Sequence, residues 1–457
     1  MLRIYNTLTR KKEEFAPLVE GKVGMYFCGM TLQEAPHLGH IRASLTADIF
    51  HRYFKYLGYD VVLVQNFTDI DDKVIEKARE ENEDWRAVAD FYEKEFLRAV
   101  EGMNFLPPTY YPRATQHIQE IIDLVERLVK KGYAYESGGD VYFRVSAFKE
   151  YGKLSGKNIE DLRAGARVEV DQKKHNPLDF ALWKSAKPGE PWWYSPWGKG
   201  RPGWHIECSA MSMHYLGETF DIHGGGSDLI FPHHENEIAQ SESATGKPFV
   251  RYWVHNEMVR LAGDKMSKSL KHFVPISELL ERYPGDVLRL YLLMTHYRSP
   301  LDYDEARLEE TKSAYGRFIE LFNNVAGVKP GNVDPLPDIE ERFTSAMDDD
   351  FNTPSAIGVL FDGVKQLNVL IAEGKLPSAA SGAQKIMELG NVLGLFEIQG
   401  ESAHEDVVDS LVELLLDIRE QMRQRKEWEM ADKIRDGLVE RGIVVKDTPD
   451  GPKWHFK

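Results

Sequence analysis

The residues with the strongest metal-binding chemistry lie close together in one short segment, FPHHENE, which runs from Phe231 to Glu237. On a helix, His233 and Glu237 would stand four residues apart, share one face and be able to bind a single ion. The alternative is a polar, solvated helix start, with Pro232 in the first turn and acidic residues near the positive end of the helix dipole. Two ligands do not complete a site, so further ligands must come from elsewhere in the chain.

Cysteine is a second source of metal ligands, and the chain contains two, Cys28 and Cys208. Two cysteines in 457 residues do not form a disulfide framework, and a reducing cytosol would keep them as thiols. As thiolates they are good zinc ligands. The alternative is a pair of buried, unreactive thiols that serve only to fill the core.

Phosphate-binding chemistry appears first in the segment PHLGH, residues 36–40. This segment joins a predicted strand to a predicted helix, and the start of a helix offers free N–H groups and a positive dipole to a phosphate. Gly39 lets a ligand approach the backbone, while His37 and His40 add hydrogen-bond donors suited to a phosphoryl group in transfer. By itself the segment is equally compatible with a packed turn and a capping histidine.

A second phosphate-binding segment lies far along the chain, in LAGDKMSKSLKHF at residues 261–273. Lys265 and Lys268 flank a small Met-Ser pair, so this loop could close over a triphosphate and move away when pyrophosphate leaves. Two surface lysines alone are usually only solvated charge. HxGH in a strand-to-helix turn combined with KMSKS after a later strand is far more specific, and the sequence has no GxxxxGK[ST] motif.

The elements that position these segments follow an alternating pattern of strands and helices. Apolar spacing predicts a strand over 22–29, a helix over 39–58 and a buried strand over 59–69. The alternation resumes at residue 203. We therefore predict an α/β fold: a Rossmann-like, doubly wound parallel-sheet catalytic domain with an insertion, followed by an all-α bundle and a small α+β C-terminal domain.

Shifts in composition predict where the domains begin and end. The insertion has a hairpin pattern at 133–145 and ends in a stretch rich in Pro, Gly and Trp, and a D-G pair near the C-terminus predicts a second hairpin. The predicted domains are 1–106 with 201–255 (Rossmann-like catalytic domain), 107–200 (connective insertion), 256–302 (the segment that carries KMSKS), 303–400 (helical bundle) and 405–457 (C-terminal domain).

Bulk composition predicts a cytoplasmic enzyme. Hydrophobic residues make up 42% of the chain and charged residues 28%, as in ordinary globular proteins. The N-terminus lacks the apolar core of a signal peptide, and we find no run of about 18 apolar residues that would span a membrane. The net charge of −16 argues against non-specific nucleic-acid binding by the whole molecule but does not exclude a local basic surface.

HxGH together with KMSKS resembles the signature of class I aminoacyl-tRNA synthetases, and within that class the chain closely resembles the cysteine–tRNA ligases. The chain departs from the family at LQEAP (32–36), where a Val-Tyr-Asp-like stretch is usual, and at Lys271-His272, where Gly-Asn commonly follows KMSKSL. Neither departure removes a residue assigned to chemistry. The matching segments are FCGMT (27–31), NFTDIDDKVI (66–75), RPGWHIECSAM (201–211), DIHGGGSDLIFPHHENEIAQSE (221–242), KMSKS (265–269), AMDDDFNTPSA (346–356) and ADKIRDGLVERGIVVKDTPDGPKW (431–454).

The resemblance implies one zinc ion per subunit, held by Cys28, Cys208, His233 and Glu237. Two thiolates, an imidazole and a carboxylate form a normal zinc set. His234 is a competing ligand that could instead support the site or face the nucleotide. Zinc would bind the thiolate of substrate cysteine, whereas a serine hydroxyl ionises too reluctantly to compete, so the metal would give specificity without an editing domain.

The resemblance also implies the reaction and the partners. Cysteine would attack the α-phosphate of Mg-ATP, and a terminal hydroxyl of tRNA(Cys) would then take the cysteinyl group. L-cysteine, ATP and tRNA(Cys) are the expected partners of a monomer that binds no membrane. The expected catalytic residues are His37, His40, Lys265 and Lys268; the expected ATP contacts are His37, Gly39, His40, Gly224, Gly225, Gly226, Asp228 and Lys268; the expected cysteine contacts are Thr68, Trp204 and His223.

The C-terminal domain, by the same resemblance, would bind the anticodon. The basic residues from Arg419 onward lie at helical spacings, and for them the alternative is a solvated amphipathic helix. Trp454 beside Lys453 and Lys457 could stack a base and meet phosphates. Two other functions stay open: a mycothiol-pathway ligase that passes cysteine to an amino-sugar, and a non-catalytic relative that only binds RNA or a partner. The full-length C-terminal region argues against the first, and the intact motifs argue against the second. From Arg419 onward the domain becomes locally basic, through Arg423, Arg425, Lys426, Lys433, Arg435 and Arg441.

Overall fold

The computed structural model describes residues 1–158, 173–261, 264–265, 275–396, 402–440, 443–448 and 451–456. Contacts among these residues divide the chain into two compact units, 1–395 and 396–457. The first unit contains the central sheet, the insertion and the helices up to residue 392, and the second contains two helices and a hairpin.

The centre of the first unit is a sheet of four parallel strands. Their order across the sheet is Val250–Asn256, Phe220–Gly226, Lys22–Phe27 and Asp60–Gln65. The two middle strands are buried along most of their length, as expected for a parallel sheet covered by helices on both faces. The predicted Rossmann-like, doubly wound α/β fold is confirmed.

The connections of the two middle strands create a crevice at the carboxyl edge of the sheet. After Lys22–Phe27 the chain crosses to Asp60–Gln65 on one side through helix Leu38–Tyr56, and after Phe220–Gly226 it crosses to Val250–Asn256 on the other side. Connections that leave in opposite directions open a gap where ligands of open α/β sheets bind. The residues that follow these two strands therefore face that gap.

The insertion forms a separate antiparallel sheet within the first unit. The predicted hairpin at 133–145 is present as Ala134–Ser137 paired with Asp140–Phe143. Gly138 and Gly139 connect the two strands with φ of +62° and +82°, as a two-residue hairpin turn of type I′ requires. The order of strands across this sheet is Ala134–Ser137, Asp140–Phe143, Phe180–Ser185, Gly198–Pro202 and Trp193–Ser195.

Helices account for most of the first unit after residue 304, as predicted from the apolar spacing there. Helix Thr353–Ala372 has Asn352 as its N-cap, whose side chain accepts a hydrogen bond from the N–H of Ser355. The buried residues of this helix lie three or four positions apart, and Gly363 leaves room for Ile386 from the next helix. The face is therefore shaped for packing against its neighbours, Ile339–Asp348 and Leu376–Val392.

Helix Thr353–Ala372 is also the one helix, among the described residues, that is long and apolar enough to cross a membrane by length and composition. The sequence predicted no such segment. The core helices of soluble proteins can be equally long and apolar. The contacts just described account for the apolar face of this helix.

A buried ion cluster ties the central sheet to the helices that follow it. Asp48 accepts hydrogen bonds from Arg52 at 3.0 Å and from Arg289, and all three side chains are buried. Arg289 also donates to the carbonyl of Leu393 at 2.6 Å. Each charge in this cluster has a partner, which offsets the cost of removing the charges from water.

The remaining elements of the first unit complete its outline. A hairpin at the N-terminus pairs Arg3–Asn6 with Lys11–Glu14. A small sheet contains Val259–Leu261, Asp264–Lys265 and Leu301–Tyr303. The other helices are Asp72–Glu81, Trp85–Gly102, Ile118–Lys130, Trp204–Leu216, Glu235–Thr245, Ile276–Leu280, Gly285–Leu293 and Glu305–Asn324, with short 3₁₀ turns at Ala114–His117, Val145–Ala147 and Ser227–Leu229.

The second unit consists of helices Ser402–Gln424 and Trp428–Glu440 and of a hairpin in which Ile443–Thr448 pairs with Gly451–Phe456. The predicted C-terminal hairpin is therefore present. Trp454 packs against the core of this unit, which consists of Val412, Leu416, Leu438 and Ile443. This packing gives the tryptophan a structural role in addition to the base stacking suggested for it.

Candidate active site

A cleft of about 400 Å³ opens at the carboxyl edge of the central sheet. It lies where the connections of the two middle strands diverge, as the topology leads one to expect. It brings the HxGH turn and three of the predicted metal ligands into one space. Its polar and glycine walls include Cys28, Gly29, Thr31, Gln33, Glu34, His37, Gly39, His40, Asn66, Thr68, Lys73, Trp204, Cys208, Gly226, Asp228, His233, Asn256 and Glu257.

The four predicted metal ligands meet at one end of the cleft. Cys28, Cys208, His233 and Glu237 each offer one donor atom, and these atoms all lie within 4.8 Å of one another. Sγ of Cys28 lies 3.8 Å from Sγ of Cys208 and 3.8 Å from Oε1 of Glu237. Nε2 of His233 lies 3.1 Å from the same Glu237 oxygen, and all four side chains are buried.

These separations suit a tetrahedral zinc ion. Zinc binds sulfur at about 2.3 Å and nitrogen or oxygen at about 2.0–2.2 Å, so a tetrahedron places two sulfur ligands about 3.8 Å apart and a nitrogen and an oxygen about 3.3–3.5 Å apart. The cysteine pair matches this value, and the His233–Glu237 pair lies within a few tenths of an ångström of it. The donor set therefore fits zinc in both chemistry and size.

The charges of the four groups are strongly coupled. A hydrogen bond from Cys28 lowers the pKa of Cys208 to about 6, while burial raises the pKa of Cys28 well above the usual thiol value. Burial disfavours the charged forms of Glu237 and His233, but the attraction between the carboxylate and the imidazolium is stronger than this effect. It lowers the pKa of Glu237 to about 2 and raises that of His233 to about 10. A metal that binds here must displace the proton of His233.

His234 is the alternative ligand that the sequence leaves open. Its Nε2 lies 3.2 Å from Sγ of Cys28, and with Cys28, Glu237 and another buried histidine it forms a second group of donors within 4.8 Å. The two groups differ in access, because Cys28, Cys208 and His233 line the cleft whereas His234, which is just as buried as His233, does not. A metal that must meet a substrate in the cleft therefore fits the first group.

A chain of buried histidines supports the cluster on its inner side. Nδ1 of His234 lies 2.8 Å from Nε2 of His255, whose Nδ1 lies 2.8 Å from the hydroxyl of Thr7. Burial lowers the pKa of His234 well below its usual value and that of His255 to about 3, so both rings are neutral at pH 7. This chain holds the ring that contacts Cys28.

The histidine and carboxylate ligands are each oriented by a further side chain, the half-buried His205 and the fully buried His223. Nδ1 of His205 lies 3.0 Å from Nδ1 of His233, and Nε2 of His223 lies 2.9 Å from Oε2 of Glu237. The carbonyl of His205 accepts a hydrogen bond from Gln240 at 2.8 Å. Hydrogen bonds to the second polar atom of a ligand fix its orientation and raise its affinity for metal.

The FPHHENE segment is helical only in part. Helix Glu235–Thr245 begins after an irregular turn at Ile230–His234, in which Phe231 is extended with φ −140° and ψ 130°. His233 therefore belongs to the turn and Glu237 to the helix. The two still lie one turn apart in space, which is why their side chains meet as the four-residue spacing predicts.

The HxGH turn places two imidazoles at the start of helix Leu38–Tyr56. Nδ1 of His37 accepts a hydrogen bond from the N–H of Gly39 at 3.0 Å, and Nδ1 of His40 accepts one from the N–H of His37 at 3.4 Å. The rings stack with centroids 3.8 Å apart. Since each Nδ1 is an acceptor, each ring carries a proton on Nε2, and both histidines line the cleft.

The glycines at 224–226 end the strand Phe220–Gly226 and differ in their surroundings. A Cβ on Gly224 would lie 2.2 Å from the ring of Phe27, and one on Gly225 would lie 2.9 Å from Leu229. These two glycines are thus needed for packing within the protein. Gly226 lies in the cleft wall together with Asp228, whose Oδ1 would be 2.5 Å from a Cβ on that glycine.

The three predicted cysteine contacts lie at different depths. The ring of Trp204 lies in the cleft wall with its centroid 4.3 Å from that of His233, so it covers the metal ligands with an apolar surface. Thr68 also lines the cleft. His223 is completely buried, stacks on Trp253 and contacts Glu237, so its position is beneath the donor cluster.

The KMSKS segment is only partly described. The backbone of Lys265 belongs to the strand Asp264–Lys265, which pairs with Val259–Leu261. Lys268 and the departure at Lys271-His272 lie outside the described residues. The other departure, LQEAP, contributes Gln33 and Glu34 to the cleft wall.

Asn66 is a cleft residue that the sequence did not single out. Its Oδ1 accepts a hydrogen bond from the N–H of Gly29 at 3.0 Å and lies 3.8 Å from Sγ of Cys208. A Cβ on Gly29 would lie 1.6 Å from the carbonyl oxygen of Asn66, so only glycine fits after Cys28. The signal in the sequence was the position of these residues within FCGMT and NFTDIDDKVI.

Family models match three consecutive parts of the chain. The catalytic domain of class I tRNA synthetases of the cysteine type, described as "tRNA synthetases class I (C) catalytic domain", matches residues 14–313. A DALR domain matches 342–397. The anticodon-binding domain of cysteinyl-tRNA ligase matches 408–454.

Curated relatives and solved structures agree with these matches. The chain is 49% identical to the cysteine–tRNA ligase of Trichlorobacter lovleyi over 485 residues, which cover 100% of both chains. It is 50% identical to that of Heliobacterium modesticaldum over 477 residues, which cover 99% of both. Mycobacterium tuberculosis methionyl-tRNA synthetase in complex with methionyl-adenylate shares the fold, with a TM-score of 0.61, 16% identity and coverage of 81% of this chain and 90% of that one.

Proposed function

The chain belongs to the cysteine–tRNA ligases of the class I aminoacyl-tRNA synthetases, and on this basis we propose how its cleft carries out the ATP-dependent charging of tRNA with cysteine. One observation carries the proposal. A buried cluster of two thiols, an imidazole and a carboxylate opens into the same cleft as the HxGH helix start. One end of the cleft can therefore select a thiol while the other handles phosphate.

The first step joins cysteine to the nucleotide. A carboxylate oxygen of cysteine attacks the α-phosphorus of Mg-ATP in line, the bond to the β-phosphate oxygen breaks, and cysteinyl-adenylate and pyrophosphate form. No covalent bond to the protein is required, so the residues of the cleft act by position and charge. The roles proposed for them follow from where their polar atoms lie.

His37 and His40 stabilise the charge on the transferring phosphoryl group. When each Nδ1 accepts a backbone N–H, the ring proton is on Nε2, and both histidines line the cleft. The start of helix Leu38–Tyr56 adds its positive dipole and close backbone access at Gly39. Lys265 and Lys268 supply positive charge to the β- and γ-phosphates from the KMSKS loop.

Gly226 and Asp228 contact the nucleoside. Both lie in the cleft wall, and the carboxylate can accept hydrogen bonds from ribose hydroxyls. Gly224 and Gly225 contribute to this contact by letting the end of their strand pack closely against Phe27 and Leu229. The strand end is thereby held at the floor of the cleft.

Zinc, when bound by Cys28, Cys208, His233 and Glu237 at one ion per subunit, would bind the substrate thiolate and so separate cysteine from serine. Trp204 covers the ligands with its ring and excludes water from that end of the cleft. Thr68 contacts the substrate amino group. His223 takes part by orienting Glu237 rather than by touching cysteine, because it is completely buried.

The second step transfers cysteine to tRNA(Cys). A terminal adenosine hydroxyl of the tRNA attacks the carbonyl carbon of the adenylate, and AMP leaves with the electron pair of the broken acyl–phosphate bond. Residues 405–457 bind the anticodon, and residues 303–400 act as a spacer between that domain and the catalytic domain. The catalytic domain consists of residues 1–106 and 201–255, with its insertion at 107–200 and its KMSKS segment at 256–302. The match of an anticodon-binding domain to 408–454 supports tRNA over an amino-sugar as the acceptor.

Pyrophosphate exchange tests the first step. Purified protein should exchange labelled pyrophosphate into ATP when cysteine is present and show no exchange above background with serine. Cys208→Ser should lower both zinc content and apparent cysteine affinity. Ser212 is buried on the same helix, and within the described part of the chain its hydroxyl donates to the carbonyl of Ser209 alone; Ser212→Ala should therefore leave both unchanged. Active protein that contains no metal would contradict the zinc assignment.

Charging of a tRNA transcript tests the second step and the remaining expectations. The protein should attach cysteine to tRNA(Cys) and not to an amino-sugar of the mycothiol type. We propose that it acts as a monomer in the cytoplasm, without a membrane. Light scattering at working concentrations that gives the mass of a dimer would contradict the monomer.

A further inference from the structure

A second cluster of metal-binding side chains lies outside the cleft, where helix Ile118–Lys130 packs against helix Trp204–Leu216. Nδ1 of His117 lies 3.5 Å from Oε1 of Glu120, and Nδ1 of His214 lies 3.3 Å from the same oxygen. All three donor atoms lie within 4.8 Å of one another. From this geometry we propose that His117, Glu120 and His214 form a second binding site for a divalent transition-metal ion, and zinc is the ion that suits this donor set.

The spacing of the donor atoms suits an ion of this size. Nitrogen and oxygen ligands lie about 2.0–2.2 Å from zinc, so a tetrahedral arrangement separates them by about 3.3–3.6 Å. The two measured separations already have these values. Two imidazoles and one carboxylate are a normal zinc set that leaves the fourth position to water.

His117 is built into the site rather than placed there by chance on the surface. It is only 5% exposed, and among the described residues its buried Nδ1 has no hydrogen-bond partner. Nε2 lies 3.2 Å from the hydroxyl of Tyr215, whose ring packs against that of Tyr110 with centroids 4.5 Å apart. When Nε2–H donates to that hydroxyl, the lone pair of Nδ1 points at the cluster, which is the arrangement found in metal-binding histidines.

An ordinary ion pair is the alternative explanation of these contacts. The 3.5 Å contact between Nδ1 of His117 and Glu120 is not a hydrogen bond, so an ion pair would leave this buried nitrogen without a hydrogen-bond partner among the described residues. The side chains of Glu120 and His214 are 34% and 44% exposed, so an ion pair between them would contribute little, whereas a metal ion could enter from solvent on that side. The buried nitrogen without a hydrogen bond and the open side of the cluster both favour a metal.

The position of the site gives it a structural role. His117 and Glu120 belong to the start of a helix of the insertion region, and His214 ends the helix that also carries Cys208. An ion bound by all three would join the two helices and hold the cleft helix against its neighbour. The site has no thiolate, so its zinc affinity should be lower than that of the cysteine-containing cluster in the cleft.

Zinc titration of the full-length protein tests the proposal. The protein, still carrying its tightly bound metal, is dialysed against a weak chelator and titrated with Zn²⁺ in a calorimeter. About one further equivalent should bind. His214→Ala changes an exposed side chain and Glu120→Gln a partly exposed one, and each should weaken this binding at least tenfold, while Glu126→Gln, an exposed acid on the same helix as Glu120, should not.

Two further measurements separate this site from the cleft. Added zinc should raise the thermal midpoint of the wild type and of Glu126→Gln but not of His214→Ala, and cysteine-dependent pyrophosphate exchange should be the same in all three. Glu34, His37 and His40 form another donor group in the cleft, so zinc uptake that persists unchanged in His214→Ala and Glu120→Gln would place the ion there and overturn the proposal. A wild type that takes up no further zinc would overturn it as well.

Discussion

Replacing His233 and His234 separately is the sharpest test of the metal site in the cleft. The two histidines are adjacent in sequence and both touch a cysteine-containing cluster, yet only His233 lines the cleft with Cys28 and Cys208. We expect His233→Ala to remove a ligand. We expect His234→Ala to remove a side chain that only orients Cys28 through the 3.2 Å contact between Nε2 and Sγ.

The magnitudes follow from these different roles. A protein zinc site of about 10–16 kcal/mol shared among four ligands gives about 3 kcal/mol for each, so His233→Ala should weaken zinc binding on the order of a hundredfold or more. A residue that orients a ligand changes metal affinity by about 10–100-fold. The decisive difference is recovery, because His234→Ala keeps all four ligands and should regain its exchange activity when zinc is in excess, whereas His233→Ala should not.

The assay combines zinc transfer to a coloured chelator with cysteine-dependent pyrophosphate exchange across a range of free zinc. His175→Ala serves as the control, since this histidine stacks on Tyr135 in the insertion and belongs to neither donor group. Full recovery of His233→Ala in excess zinc, combined with none for His234→Ala, would mean that the second donor group binds the ion and that the reasoning from cleft access is wrong.

Four further outcomes are expected. Lys268→Ala should slow adenylate formation on the order of a hundredfold, with cysteine affinity measured without ATP unchanged; equal losses in both would make the loop a structural element. Truncation after about residue 400 should leave pyrophosphate exchange nearly intact and sharply reduce charging of tRNA(Cys), through weaker, salt-dependent binding; charging at the full rate would assign tRNA recognition to another region. Asp48→Ala leaves two buried arginines without their counter-ion and should lower the free energy of unfolding in urea by about 3–5 kcal/mol, against at most about 1 kcal/mol for Glu95→Gln in its exposed pair with Arg98. Burial lowers the pKa of His51 to about 4, so the folded state binds fewer protons than the unfolded state between about pH 4 and 6.5. The free energy of unfolding, measured in urea, should therefore fall by up to about 3 kcal/mol as pH drops through that window, and His51→Gln should make this fall smaller.

Prediction from the sequence worked best where residue type restricts chemistry. The two cysteines, the paired histidine and glutamate, and the HxGH turn are few and chemically distinct, so residue type and spacing are enough to identify them as candidate ligands. The α/β alternation followed from the periods of apolar residues, because a strand buried on both faces has to be apolar throughout. These features depend on local sequence alone.

Residues with common side chains were harder to identify. Asn66 and His205 lie within segments that match the family, but nothing in residue type separates them or His255 from their neighbours. Their roles come from what they touch: the N–H after Cys28, the second nitrogen of His233, and the ring of His234. The sequence also did not predict that His223 is buried beneath Glu237, since a histidine on a strand can face a cleft or the core.

The sequence by itself determined which groups could bind a metal or a phosphate, because donor chemistry belongs to individual side chains. Only the tertiary structure decided which of them share a site. Cys28 and Glu237 are separated by 209 positions, yet their donor atoms lie 3.8 Å apart. They meet because the strands Lys22–Phe27 and Phe220–Gly226 are parallel neighbours whose carboxyl ends lie at the same edge of the sheet, and their connections diverge there. Tertiary packing also brings His214 to His117 and Glu120. The sequence around these three residues does not predict a metal site.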